Sequence, residues 1–159
     1  MSCFRREGNS LKFHYDAEEL WIEPWGDNSL RVRATKMAEM SEENWALQEE
    51  PKVTEPEIII EEKSAAITNG KIKAVISKYG KMTFYNQRGE VLLDEYLRNR
   101  LDVFADYCSA LDVEAREFKP IVGGDYRLSM RFVSNPDEKI YGMGQYQQPY
   151  LNLKGTDLE

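Results

Sequence analysis

The sequence predicts an all-β chain folded as an antiparallel β-sandwich, with one short helix left open as an addition. Three observations carry this expectation. Apolar and polar residues alternate with period two through several short runs. Turn-forming residues separate those runs at short spacing. Successive strand side chains point to opposite faces, so each run has one wet and one dry face, which suits stacked antiparallel sheets and not a parallel α/β sheet.

Taken in order, residues 1–19 read as an N-terminal arm. It ends in Leu11-Lys12-Phe13-His14-Tyr15, an edge strand or the approach to one. Residues 20–145 read as the sandwich domain. Gly26-Asp27-Asn28-Ser29 is a turn before a strand in which Leu30, Val32 and Ala34 alternate with Arg31, Arg33 and Thr35. Residues 41–56 break the alternation. Ser41 is placed to cap a short helix, but Pro51 and Pro56 limit it, and an irregular acidic crossover is the stronger reading.

Asn69-Gly70 marks a hairpin joining residues 57–68 to 71–78, because both residues tolerate positive φ. Ile72, Ala74 and Ile76 then alternate with Lys71, Lys73 and Ser77. Tyr79-Gly80-Lys81 and Asn86-Gln87-Arg88-Gly89 bracket the next strand, where Met82 and Phe84 oppose Thr83 and Tyr85. Over residues 94–111 the signals conflict. Leu97, Leu101, Phe104, Cys108 and Leu111 recur at helical intervals. Gly123-Gly124-Asp125 precedes a last strand in which Tyr126, Leu128, Met130 and Phe132 oppose Arg127, Ser129 and Arg131.

The net charge of −7 disfavours a nucleic-acid partner, which needs a basic surface. That charge is local. Residues 39–63 hold nine glutamates and two lysines, and elsewhere nineteen acids balance nineteen bases. A solvated loop explains this segment better than a cation site, since no spacing in it resembles a calcium loop. Two cysteines, Cys3 and Cys108, form no disulfide framework. With no signal peptide and no apolar run of membrane-spanning length, the expectation is a cytoplasmic protein without a membrane partner.

Each candidate chemistry is thin. His14 is the only histidine, so any Ser-His-Asp, Cys-His or zinc arrangement would rest on it alone. Gly142-Met143-Gly144 is a lone Gly-x-Gly. Gln147 stands where a dinucleotide fingerprint needs a third glycine, and Pro149 argues against the helix that should follow. No two carboxylates are marked as a facing pair for glycoside hydrolysis. The expected catalytic, metal and cofactor assignments are therefore none. Trp21 and Trp25 are expected in the core, with sugar stacking as the alternative. Tyr141, Tyr146 and Tyr150 are expected to pack against a following domain.

An ordered set of short motifs runs from about residue 20 to residue 144. It comprises Leu30-Arg31-Val32-Arg33-Ala34-Thr35, Asn69-Gly70-Lys71-Ile72, and Gly80-Lys81-Met82-Thr83-Phe84-Tyr85-Asn86 with Gly89 and Leu92-Leu93. Gly124-Asp125-Tyr126 with Phe132 follows, then Ile140-Tyr141-Gly142-Met143-Gly144. This set resembles the N-terminal domain of glycoside hydrolase family 31, which includes α-glucosidases and α-xylosidases.

The resemblance implies a galactose mutarotase-like sandwich preceding a (β/α) barrel, with strand and long loop over residues 94–111 instead of a helix. It implies retaining chemistry by two aspartates on the barrel, so no catalytic residue carries over to this chain. Residues 146–159 are then the start of a loop toward that barrel, whose substrate-contacting residues are expected beyond Glu159; within the chain the substrate contacts are unassigned, with Gln145 and Tyr146 as the loop candidates. Gln145 stands where the family often has an acid, and the run Gln145-Tyr146-Gln147-Gln148-Pro149 leans toward the α-xylosidase side.

The expected function is the non-catalytic front domain of a retaining α-glycosidase, bracing its barrel and shaping the pocket entrance. Alone it would be inactive and self-associating, with the barrel and carbohydrate as its natural partners. The alternatives are a stand-alone carbohydrate-binding module using Trp21, Trp25 or Trp45, and a purely structural interaction domain.

Overall fold

A computed structural model describes residues 3–44, 47, 54–142, 149 and 151–156. The described residues contain eleven strands and no helix. The first four are β1 (Phe4–Glu7), β2 (Ser10–Tyr15), β3 (Glu18–Pro24) and β4 (Leu30–Thr35). They pair antiparallel in the order β1-β2-β3-β4. A second sheet, also antiparallel, has the order β5-β6-β7-β8-β9. Its strands are β5 (Glu57–Ile60), β6 (Ser64–Asn69), β7 (Ile72–Ser77), β8 (Met82–Asn86) and β9 (Val91–Asp94). The last two, β10 (Arg116–Ile121) and β11 (Asp125–Met130), form a separate hairpin.

The core lies between the first two sheets. Phe4, Leu11, Phe13, Leu20 and Ile22 come from one sheet; Ala65, Ile67, Ala74, Ile76 and Met82 come from the other. Leu11, Leu20, Ile22, Ile67 and Ile76 have no exposed surface. Alternation explains the choice, since every second residue of β2, β3, β6 and β7 faces inward. Each such side chain contributes about 1.5–3 kcal/mol by leaving water. Residues 4–15, grouped by sequence with the N-terminal arm, form β1 and β2 and supply three of the ten core side chains.

One expectation changes on the outer surface, and over residues 94–111 the loop reading holds over the helical one. Trp21 and Trp25 are not core residues. Trp21 sits between buried Leu20 and Ile22, and the same alternation that buries them turns it outward, where it is half-buried. Residues 94–111 are not helical but made of turns and isolated bridges, Arg98 with Val113 and Asn99 with Cys108. The helical spacing would bury all five of its apolar positions. Only Leu97 is buried, and Phe104 is 96% exposed.

Both ends of the sandwich are pinned. At one end the β3–β4 turn meets the β6–β7 turn. Asn69 is buried and donates through Nδ2 to the carbonyls of Gly26 and Ser29, each at 2.8 Å. Its Oδ1 accepts from the Thr54 hydroxyl at 2.9 Å. Of the Asn69-Gly70 pair only Gly70 has positive φ, at 58°. A side chain there would also lie 2.1 Å from the Asp27 carbonyl oxygen, so the two turns fit only because position 70 is glycine. The other end is held by charge.

Candidate functional site

The charged end is built from residues far apart in sequence. Strand β2 and strand β3 meet at Tyr15-Asp16-Ala17-Glu18, the β7–β8 turn brings Tyr79 and Gly80, and β10 begins at Arg116. Arg116 is almost fully buried, and its guanidinium reaches three partners. Nε donates to Glu18 at 2.5 Å, Nη1 to both oxygens of Glu95 at 2.5 Å, and Nη2 to the Gly80 carbonyl at 2.6 Å. Glu95 has no exposed surface and also accepts from the Met82 N–H at 2.8 Å.

Burial pushes the Glu95 carboxyl above the usual carboxylate range, against the pull of Arg116 and the Met82 N–H. For Arg116 burial works downward, but Glu95 and Glu18 outweigh it and hold the guanidinium charged. A carboxylate with no exposed surface, bonded on both oxygens, has no route to a substrate. Glu95 is therefore a structural partner of Arg116, and Glu18, partly exposed at the hollow, completes the triad. Nothing in the local sequence flags this triad, because its members stand 98 and 21 residues apart.

Above the triad is a hollow of about 180 Å³. Its floor is buried Gly80, Leu97, Asn99 and Ala115, and its rim carries exposed Asp16, Asp112 and Glu114.

The sequence-predicted residues fall elsewhere. Gln145 and Tyr146, the candidate substrate contacts, lie outside the described residues, as do Trp45, Met143, Gly144, Gln147 and Tyr150. Tyr141 is described and is half exposed. His14 is exposed on the outer face of the first sheet, its Nδ1 3.3 Å from Glu19. No group of three or more histidine, cysteine or acidic residues suited to a metal occurs among the described residues. Cys3 and Cys108 are free thiols.

The tryptophans meet cations. Lys12 Nζ stands 3.6 Å over the Trp21 ring and the Arg33 guanidinium 5.0 Å from it. The Arg31 guanidinium lies 4.9 Å from the Trp25 ring. Lys12 and Arg33 are in turn paired with Glu7 and Glu23. A sugar stacking on Trp21 would have to displace this cation–π ladder.

A different surface is apolar. Among the described residues, sixteen of the twenty-one large apolar side chains left exposed lie beyond residue 90. They include Val91 and Leu92 on β9, Phe104, Val122 at the β10–β11 turn, and Leu128 and Met130 on β11. The chain here is well made but uncovered. After β11 it returns along β9, with Tyr96 N–H donating to Arg131 and Val133 N–H to Asp94.

Comparison with known proteins gives this geometry a context. A family model described as the glycosyl hydrolase 31 N-terminal galactose mutarotase-like domain matches residues 19–159. The chain is 44% identical to a family 31 glucosidase of Pseudescherichia vulneris, an alignment that covers all of this chain and 31% of that protein. A crystal structure of a family 31 α-xylosidase from a soil metagenome, complexed with xylose, superposes with a TM-score of 0.88 at 49% identity. It covers 96% of this chain and 23% of that one. A family 31 α-xylosidase of Xanthomonas citri superposes with a TM-score of 0.72 at 23% identity, over 95% of this chain and 16% of that one. The chain thus spans about a third or less of the relatives it matches.

Proposed function

We propose that this chain, which belongs to glycoside hydrolase family 31 as its N-terminal galactose mutarotase-like domain, is the non-catalytic front domain of a longer retaining α-glycosidase. Its work is mechanical. It braces a catalytic barrel and shapes the approach to the pocket, and the hydrolysed substrate is an α-xyloside or α-glucoside. The observation that carries this reading is the apolar surface beyond residue 90, which a free-standing domain of this size rarely leaves in water. The barrel is the partner that covers it.

Two further features support the same reading. At the charged end the fully buried acid, Glu95, is tied to Arg116 and suits a structural role. The solved structures whose front portion it resembles carry the α-xylosidase description. Two free thiols support a cytoplasmic location. Gln145 and Tyr146 are kept as loop candidates for contact with the sugar. The tryptophan-platform alternative loses support, because Trp21 and Trp25 are already matched with Lys12, Arg33 and Arg31.

The test is a pair of measurements. The purified chain should show no turnover of aryl α-xylosides or α-glucosides and should self-associate in sedimentation. In the longer protein, replacing Phe104 and Val122 by serine should lower both melting temperature and glycosidase activity. Turnover by the chain alone, or full activity and stability of the doubly substituted longer protein, would remove the proposal.

A further inference from the structure

The hollow at the charged end has the makings of a ligand site that the front-domain role does not use. It is walled by two fixed rings. Tyr15 is 47% exposed, and its ring stacks on core residue Phe13 with centroids 6.4 Å apart. The Tyr79 hydroxyl donates to the Leu101 carbonyl at 3.1 Å, and its ring meets Tyr107 edge-on. The Tyr15 ring held this way presents a flat face at little entropic cost, whereas one face of the Tyr79 ring is taken by Lys78 Nζ at 4.7 Å.

The polar groups are unusually idle. Asp16, Asp112 and Glu114 line the hollow, and their carboxylates make neither an ion pair nor a hydrogen bond among the described residues. Asn99 is buried to more than nine-tenths and lines the same space. Its Oδ1 accepts from the Leu101 N–H at 3.2 Å, and its backbone bonds Tyr107 and Ser109. Its Nδ2 has no acceptor among the described residues. That amide nitrogen keeps some contact with the hollow, where a ligand acceptor could take the place of water.

Size and charge then select the ligand. At about 180 Å³ the hollow is below the range of drug-sized pockets, which excludes an oligosaccharide or a nucleotide. The rim carboxylates repel anions. Several acceptors, one unpaired amide donor, Lys36 as a second donor and two ring walls match a small neutral molecule rich in hydroxyl groups. Its hydroxyls donate to the acids and accept from the amide, and its C–H faces lie on the rings. We propose that this end of the sandwich binds a single neutral sugar or a polyol of that size. The inference needs neither the barrel nor a bond-breaking step.

The experiment is a titration of the purified 159-residue chain with D-xylose and D-glucose, followed by amide NMR, with ethylamine as a small cation for comparison. The expected result is a saturable shift at the amides of Tyr15, Tyr79, Asn99 and Leu101. Asp112→Asn changes an exposed residue and should keep the melting temperature while weakening sugar binding about tenfold, as loss of a charged acceptor implies. Asn99→Asp keeps the bond to Leu101 and removes the idle donor, so it should weaken binding by a similar factor. No saturation into the tens of millimolar, shifts confined to other residues, unchanged affinity in both variants, or binding of ethylamine in preference to the sugars would overturn the proposal.

Discussion

The two ends of the sandwich solve one problem with different chemistry. At the turn end a neutral side chain, Asn69, spends its amide on two carbonyls and a hydroxyl. At the other end Arg116 gathers two carboxylates and the Gly80 carbonyl. Both clamps join the first sheet to the second. The neutral one works by fit and is indifferent to pH. The ionic one is strong in contact but must offset the removal of three charges from water. The difference teaches where each can be used. Fit suffices where backbone groups meet, whereas the ionic clamp appears where the chain leaves its regular strands and needs a long side chain to bridge the gap.

The contrast can be broken most forcefully at the ionic end. Arg116→Ala leaves Glu95 buried without its partner and should cost about 3–5 kcal/mol, measured by denaturant unfolding. At the neutral end Asn69→Ala strands two carbonyls and a hydroxyl and should cost less, about 1–3 kcal/mol. Gly70→Ala tests fit in isolation. It meets both positive φ and a backbone oxygen, so it should cost at least about 1 kcal/mol, and more than Gly8→Ala, which has the same φ and open space.

A smaller effect sharpens the comparison through pH. The Glu95 carboxyl is raised, so the stability its proton uptake gives is present at low pH and is lost as pH rises through the raised value. Exposed Glu7 and half-buried Glu117 are lowered, first by their bonds to Lys12 and Arg131, and act in the opposite sense as pH falls. The melting-temperature gap between wild type and Glu95→Gln should therefore narrow as pH rises above the ordinary carboxylate range, while the gap for Asn69→Ala stays flat. The smallest expected effect lies on the apolar surface. Val122→Ser should change the stability of the chain by no more than about 0.5 kcal/mol, because Val122 touches nothing that is lost on unfolding.

The sheets were legible because alternation is a local signal. Leu20, Ile22, Ile67, Ala74 and Ile76 all point inward as the pattern requires. The same rule, applied strictly, also turns Trp21 outward, and only the habit of treating tryptophan as core obscured it. Residues 94–111 stayed ambiguous because helical spacing is a statement about sequence, whereas their backbone is fixed by bridges to residues 108 and 113 and by contact with Tyr79. The hollow and its triad were invisible for a stronger reason. Glu18, Glu95 and Arg116 meet only through the fold, and no periodicity spans such separations.

The bond between Glu18 and Arg116 has a bearing on how the molecule is made. A strand laid down early must wait for a residue 98 positions later before its end is fastened. At ribosomal speeds of roughly 5–20 residues per second, that wait is several seconds. During it the first sheet has its own hairpins but an unclosed margin, which favours slow, non-local assembly over rapid collapse. Chaperone dependence during translation, growing when elongation is slowed, is the cellular behaviour to look for.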